Sequence, residues 1–294
     1  MLFAAAPAAG QSQEEPAEAS DDDIIVTGER PTHREVSRQA RDVTDIGSDI
    51  RDRPLARIED RLCPGVIGLK RYAAELMIDR IRWNAERLNM WLADDSNCSP
   101  NLIVAFVEDG QQTIAELVDN QPWLFATLAT HERRALVAER GPVRVWTTAQ
   151  TRTRDGMPIA RRENLTDPPV TQMWMAHSKL YLTIREDITQ VVVLFDREGV
   201  RGKSIIQLAD YATMRSFART RPATGDAALD TILALFDPGH EPPQELTAFD
   251  QAYLRSVYKE IANLPAAMKL LDVSDELERA MAAEGAGQAT SSEQ

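Results

Sequence analysis

The chain has 294 residues and carries 46 Asp and Glu against 33 Lys and Arg, a net charge of −13. A general nucleic-acid binder needs Lys and Arg to displace counterions from phosphates, and a polybasic membrane anchor needs the same groups, so this balance argues against both. A chain of this length buries well over half of its unfolded surface without extra staples, and its 43% hydrophobic content is that of a globular protein.

The first ten residues are apolar and small, with Ala8 and Gly10 followed by Gln11. They read as the remnant of a signal peptide (residues 1–10), although the basic n-region is missing; the other reading is an Ala-rich leader. Residues 11–60 form an expected arm. Gln11 to Asp23 is acidic, and from Arg30 to Asp60 charges of both signs alternate with few large apolar residues. Such a segment buries too little surface to offset its ordering entropy, so disorder is expected. The exception is the β-branched run Ile24, Ile25, Val26 and Thr27. Two cysteines, Cys63 and Cys98, each lie in a turn-like setting beside Pro or Ser. An even count after an export-like start predicts a disulfide between them, the alternative being two separate thiols. No apolar run reaches the ~20 residues that span a bilayer.

A single α+β domain is expected over residues 61–284, with a disordered tail at 285–294. Tyr72 to Leu92 repeats apolar residues at helical spacing. Asn101 to Val107 reads as a buried strand. Helices are predicted from Gln111 to Asn120 and from His131 to Glu139, the second capped by Thr130. Strands follow at Val143–Ala149, Ile159–Glu163, Val170–Ala176 and Thr189–Phe195, with a hairpin turn at Asp155-Gly156. Ser204–Thr220, Asp226–Phe236, Ala248–Ile261 and Ser274–Ala283 read as helices. A mixed sheet with packed helices is the resulting architecture.

The chemical motifs each lack an essential member. Asp196 to Ser204 ends in Gly-Lys-Ser after a strand, but a phosphate loop needs a glycine where Arg197 stands; Ser204 and Gln207 instead predict a capping box. His131-Glu132 opens like a zinc-protease helix, yet the second histidine one turn on is Ala135. His33, His131, His177 and His240 are scattered, so no metal or cofactor is expected. No Gly-x-Ser-x-Gly elbow nominates a serine. Asp210, Asp237 and Asp250 lie in or beside apolar helices, where a carboxylate caps a helix, pairs with Arg, or serves a site. The tryptophans are read as core or rim packing.

Two resemblances add to this. The segment Val191 through Tyr258 resembles a family of uncharacterised bacterial secreted proteins with a zincin-like, metallopeptidase-derived architecture. It carries the strand Val191 to Phe195, the helix Gln207 to Phe217 where zincins hold their metal motif, then Leu235 to Pro238 and Leu246 to Tyr258. That helix contains no His, so the resemblance implies the fold without the zinc chemistry. Asp21 to Arg30 resembles the TonB box of TonB-dependent outer-membrane receptors, whose extended peptide adds to a sheet edge. This implies docking of Ile24, Ile25, Val26 and Thr27 to TonB or another envelope protein. The expected function is a non-enzymatic periplasmic or secreted binding protein; the alternative is a hydrolase whose site is assembled from distant residues.

Overall fold

A computed structural model describes residues 30–46, 50–94, 98–159, 166, 170, 180–224, 227–239 and 241–291, with side chains up to 283. The expected docking strand Ile24–Thr27, all of the strand Val170–Ala176 but its first residue, and most of Ile159–Glu163 lie outside these residues.

The expected α+β class is the observed one. Among the described residues four strands, β1 (Pro64–Ile67), β2 (Leu102–Val107), β3 (Val143–Thr153) and β4 (Ile184–Asp196), form one sheet in the order β1-β2-β4-β3. β1, β2 and β4 run parallel, and β3 is antiparallel to β4 at the sheet edge. The pleat divides the apolar side chains between two cores. Leu102, Val104, Phe106, Val191, Val193 and Phe195 face one layer, with Phe106 stacked on Phe195 at 5.1 Å. Ala105, Val192, Leu194 and Trp146 face the other, against Ile114, Phe125 and Leu136. Both faces of β2 and β4 are covered, which explains their near-continuous apolar sequence.

The larger core is filled by α1 (His33–Val43), α2 (Arg71–Arg87), α5 (Ile205–Phe217), α6 (Ala248–Tyr258) and α7 (Ala266–Ser291). The smaller is covered by α3 (Gly110–Asn120) and α4 (Thr130–Ala138). α5 begins at the predicted capping box: Ser204 Oγ accepts from the Gln207 N–H, and Gln207 Oε1 accepts from the Ser204 N–H. Its side chains are buried along almost its whole length. The predicted turn at Gly156 forms with φ +85°, the left-handed conformation glycine adopts at no steric cost.

Several elements differ from expectation. The folded body begins well before residue 61. Thr32 and Glu35 form a capping box for α1, whose Val36, Ala40 and Val43 are buried, and Leu55 and Ile58 join the same core. Apolar residues are sparse here, but three on one helix face suffice when a neighbouring helix supplies the rest of the contact. α4 is capped from within, since Glu132 accepts from the Ala129 N–H at 2.8 Å, and Thr130 is its first residue. α7 starts at Ala266, earlier than Ser274, and its backbone continues to Ser291.

The helix expected at Asp226–Phe236 is only a short 3-10 turn, Ile232–Ala234. Side chains from elsewhere take over its backbone. Gln39 donates to the Leu229 carbonyl and accepts from the Leu229 N–H, both at 2.8 Å. Asp250 accepts from the Thr231 hydroxyl at 2.5 Å and from the Ile232 N–H at 2.8 Å while also capping α6. Burial pushes the Asp250 carboxyl up to about 6 despite four donors that pull the other way, the Thr231 hydroxyl, the Ile232 N–H and the N–H and hydroxyl of Thr247. The expected result is a carboxyl ¹³C titration midpoint near 6 in the folded protein, far above the ~3.9 of an ordinary Asp. Between these two values the folded state holds a proton that the unfolded chain has released. This group's contribution to stability therefore falls as pH rises through that window. A midpoint below 4 would show that the four hydrogen bonds outweigh burial.

Cys63 and Cys98 form the predicted disulfide, with Cα atoms 6.0 Å apart. It closes a loop containing β1 and α2. No helix among the described residues is long and apolar enough to cross a membrane.

Candidate functional site

β3 is long enough to pass beyond β2, and its outer edge carries no strand among the described residues. α4 reaches over this edge from one side and α5 lies on the other. The space between them is a cleft of about 650 Å³. Its walls are Val143 to Thr147 on β3, His131, Glu132 and Ala135 on α4, and Tyr211 and Arg215 on α5. The segments after α5 and around Phe236 close the remaining side. A second cavity of about 470 Å³ continues toward Ala149 and Tyr253. Asp45, His131, Glu132 and Arg219 line both.

The charged groups of the cleft are largely satisfied by one another. Arg144 is buried at 2% exposure and donates to the Asp196 carboxylate at 3.1 Å and to the Glu139 carbonyl at 2.9 Å. Asp196 also accepts from the Gly110 N–H at 2.6 Å. A side chain at Gly110 would place its Cβ 2.2 Å from Asp196 Oδ1, so glycine is required for this close approach. Arg219 donates to Glu132 at 2.8 Å and to Asp45 at 3.4 Å. Burial raises the Glu132 carboxyl, but the Ala129 N–H and Arg219 overcome it, and the net displacement is below the ordinary value. A carboxylate held ionised in this way is a poor proton donor. Glu139 accepts from the Gly141 N–H, and Asp237 from the Gly239 N–H.

Arg215 has no carboxylate partner among the described residues. Its Nη1 donates to the Tyr211 hydroxyl at 2.8 Å, one turn back on the same face of α5, and its buried Nε, like that of Arg144, has no hydrogen-bond acceptor.

The residues singled out from sequence are distributed as follows. His131 and Glu132 do meet the cleft, Glu132 as an ion-pair partner. Among the described residues, no three His, Cys, Asp or Glu side chains converge as metal ligands would. Asp210 is buried in α5 but faces α2: Arg80 grips it with two hydrogen bonds of 2.8 and 2.6 Å, and Asn84 and the Leu246 N–H donate to it. Asp250 is a structural cap, and Asp237 lies at the cleft wall. Of the tryptophans, Trp146 is in the core, while Trp91 and Trp123 are 70% exposed. Trp83 is sandwiched between Arg80 and Arg87 at 4.4 and 4.5 Å. Sequence reasoning missed Tyr211, Arg215 and Arg219. The spacing of Tyr211 and Arg215, four apart in one helix, is the signal that pairs the first two.

Comparison with protein-family models, curated proteins and solved structures finds no match.

Proposed function

We propose that the protein is a non-enzymatic binding protein of the bacterial envelope that takes an extended segment of a partner into the cleft beside β3. The observation that carries this reading is the wall of the cleft: Val143 to Thr147 belong to the outermost strand of the sheet among the described residues. An edge strand presents unpaired N–H and C=O groups, and an added strand satisfies them while side-chain pockets supply selectivity. The carboxylates around it are tied to Arg219 or to backbone N–H groups, which suits recognition better than proton transfer. The disulfide and the export-like start support an oxidising compartment outside the cytoplasm.

The same proposal treats the scaffold as zincin-like without zinc. α5 is the helix in which the resemblance places the metal motif, and it offers Tyr211 and Arg215 to the cleft instead. Ile24, Ile25, Val26 and Thr27 form a second contact, with TonB or another envelope protein, supported by their β-branched character and acidic flank.

The test is selection of capped hexapeptides from a randomised library on the intact protein, followed by amide ¹H–¹⁵N shifts. The expected result is peptides that shift the amides of Val143 to Thr147. Ala135→Trp, an exposed position at the cleft wall, should abolish their binding without unfolding the chain. Failure to enrich any peptide, or peptides indifferent to Ala135→Trp, would overturn the reading. Cleavage of the selected peptides would replace it with the hydrolase alternative.

A further inference from the structure

We infer that the cleft recognises the terminal carboxylate of its extended ligand through Arg215, held in place by Tyr211; this rests on the reading of the cleft as a binding site. Arginine presents five N–H donors in a planar fork that matches a carboxylate. Within the described structure Arg215 gives one of them to a neutral acceptor, the Tyr211 hydroxyl, and its buried Nε has none. The Tyr211 ring is 1% exposed and lies 5.7 Å from the guanidinium carbon, so the ring fixes the fork without neutralising it.

The other arginines of the cleft are paired with carboxylates, although the Arg144 Nε also lacks an acceptor. Arg144 is bound to Asp196 and Arg219 to Glu132 and Asp45. The acids lining the cleft are engaged as well: Asp45 and Glu132 with Arg219, Glu139 with the Gly141 N–H, Asp237 with the Gly239 N–H. In a chain with 46 acidic against 33 basic side chains, the arginine is not left over for want of carboxylates. A partly enclosed cleft strengthens the attraction between such a charge and an anionic ligand.

The geometry also favours a chain end over an acidic side chain in mid-chain. Asp45, His131, Glu132 and Arg219 line both cavities, so the Arg219 bridge to Glu132 and Asp45 is a wall the two share. An extended segment following β3 meets this wall. Arg215 stands four residues before Arg219, on the near side, lining only the larger cavity. A segment that stops at the wall places its terminal carboxylate there, whereas a continuing chain has to pass the bridge.

The experiment uses the full chain and three probes: acetyl-Val-Thr-Val-Thr as the free acid, the same peptide as its C-terminal amide, and an amide peptide in which one internal Thr is Glu. Binding is followed by the Arg Nε–Hε resonances and by β3 amides. The free acid should bind about ten-fold or more tightly than either amide, the scale of a hydrogen bond to a charged group, and should move the Arg215 Nε–Hε resonance. Arg215→Gln should erase the preference, and Arg215→Lys should keep part of it. The wild-type resonance shift reports the contact even if a variant unfolds. Equal affinity of acid and neutral amide, or an unmoved Arg215 resonance, overturns the inference while β3 shifts leave the groove standing. Equal affinity of the internal-Glu peptide overturns the assignment to a chain end. If none of the three binds at millimolar concentration the carboxylate site is rejected, and the hexapeptide selection judges the groove separately.

Discussion

Asp210→Asn is expected to destabilise the protein by about 3 kcal/mol or more, the scale found when one partner of a buried ion pair is removed. The Asp210 side chain is fully buried and Arg80 is 14% exposed. The carboxylate receives Arg80 Nε at 2.8 Å, Arg80 Nη2 at 2.6 Å, Asn84 Nδ2 at 2.8 Å and the Leu246 N–H at 2.9 Å. It therefore ties α2, α5 and the segment entering α6 at one point. Asparagine removes the charge and turns one acceptor into a donor that faces donors. Glu245, 3.0 Å from Arg80, retains part of the attraction, but it is largely exposed and screened. Urea unfolding followed by tryptophan fluorescence measures the effect. Arg80→Met should cost a similar amount, and the double variant less than the sum, because each single change leaves the other group unpaired. A loss under about 1 kcal/mol for Asp210→Asn would mean that solvent or Glu245 replaces the pair.

Replacing both cysteines by serine is expected to cost about 4 kcal/mol, from the loop entropy that the cross-link removes from the unfolded chain. The half-cystines are 35 residues apart in sequence. The folded geometry around them is held independently. Asn101 accepts from the Cys63 N–H at 2.8 Å and donates to the Arg61 carbonyl at 3.0 Å, and β1 pairs with β2. The fold should therefore survive the substitution with its far-ultraviolet spectrum unchanged. Urea denaturation should show the lower stability together with a steeper slope, since the freed chain exposes more surface on unfolding. An unchanged slope and a loss below about 1 kcal/mol would place the effect of the disulfide elsewhere than in the unfolded state. Thiol titration of the unfolded, unreduced wild-type protein should find no free thiol.

The sequence by itself determined what neighbouring residues can settle among themselves. Ser204 and Gln207 specify the start of α5 because both halves of the capping box lie within four residues. The apolar runs of β2 and β4, the periodicity of α2 and the turn at Gly156 are local patterns of the same kind. The α1 capping box, Thr32 with Glu35, was equally local, but its helix carries so many charges that burial of Val36 and Val43 depends on the layer it joins.

Tertiary structure alone decided the rest. Residues 229–231 leave the helical path because Gln39 and Asp250, distant in sequence, bind the backbone of Leu229 and of Ile232 on either side. The roles of the buried acids are set by what faces them: Asp210 meets Arg80 and Asp250 meets Thr231, and neither partner is visible from the helix that carries the acid. The cleft is drawn from β3, α4, α5 and two later segments, so no contiguous motif announces it. Arg144 pairs with Asp196 on the neighbouring strand and Arg219 with Glu132 on α4, while Arg215 has no carboxylate partner among the described residues, a difference made by the distances between elements and not by the residues beside each arginine.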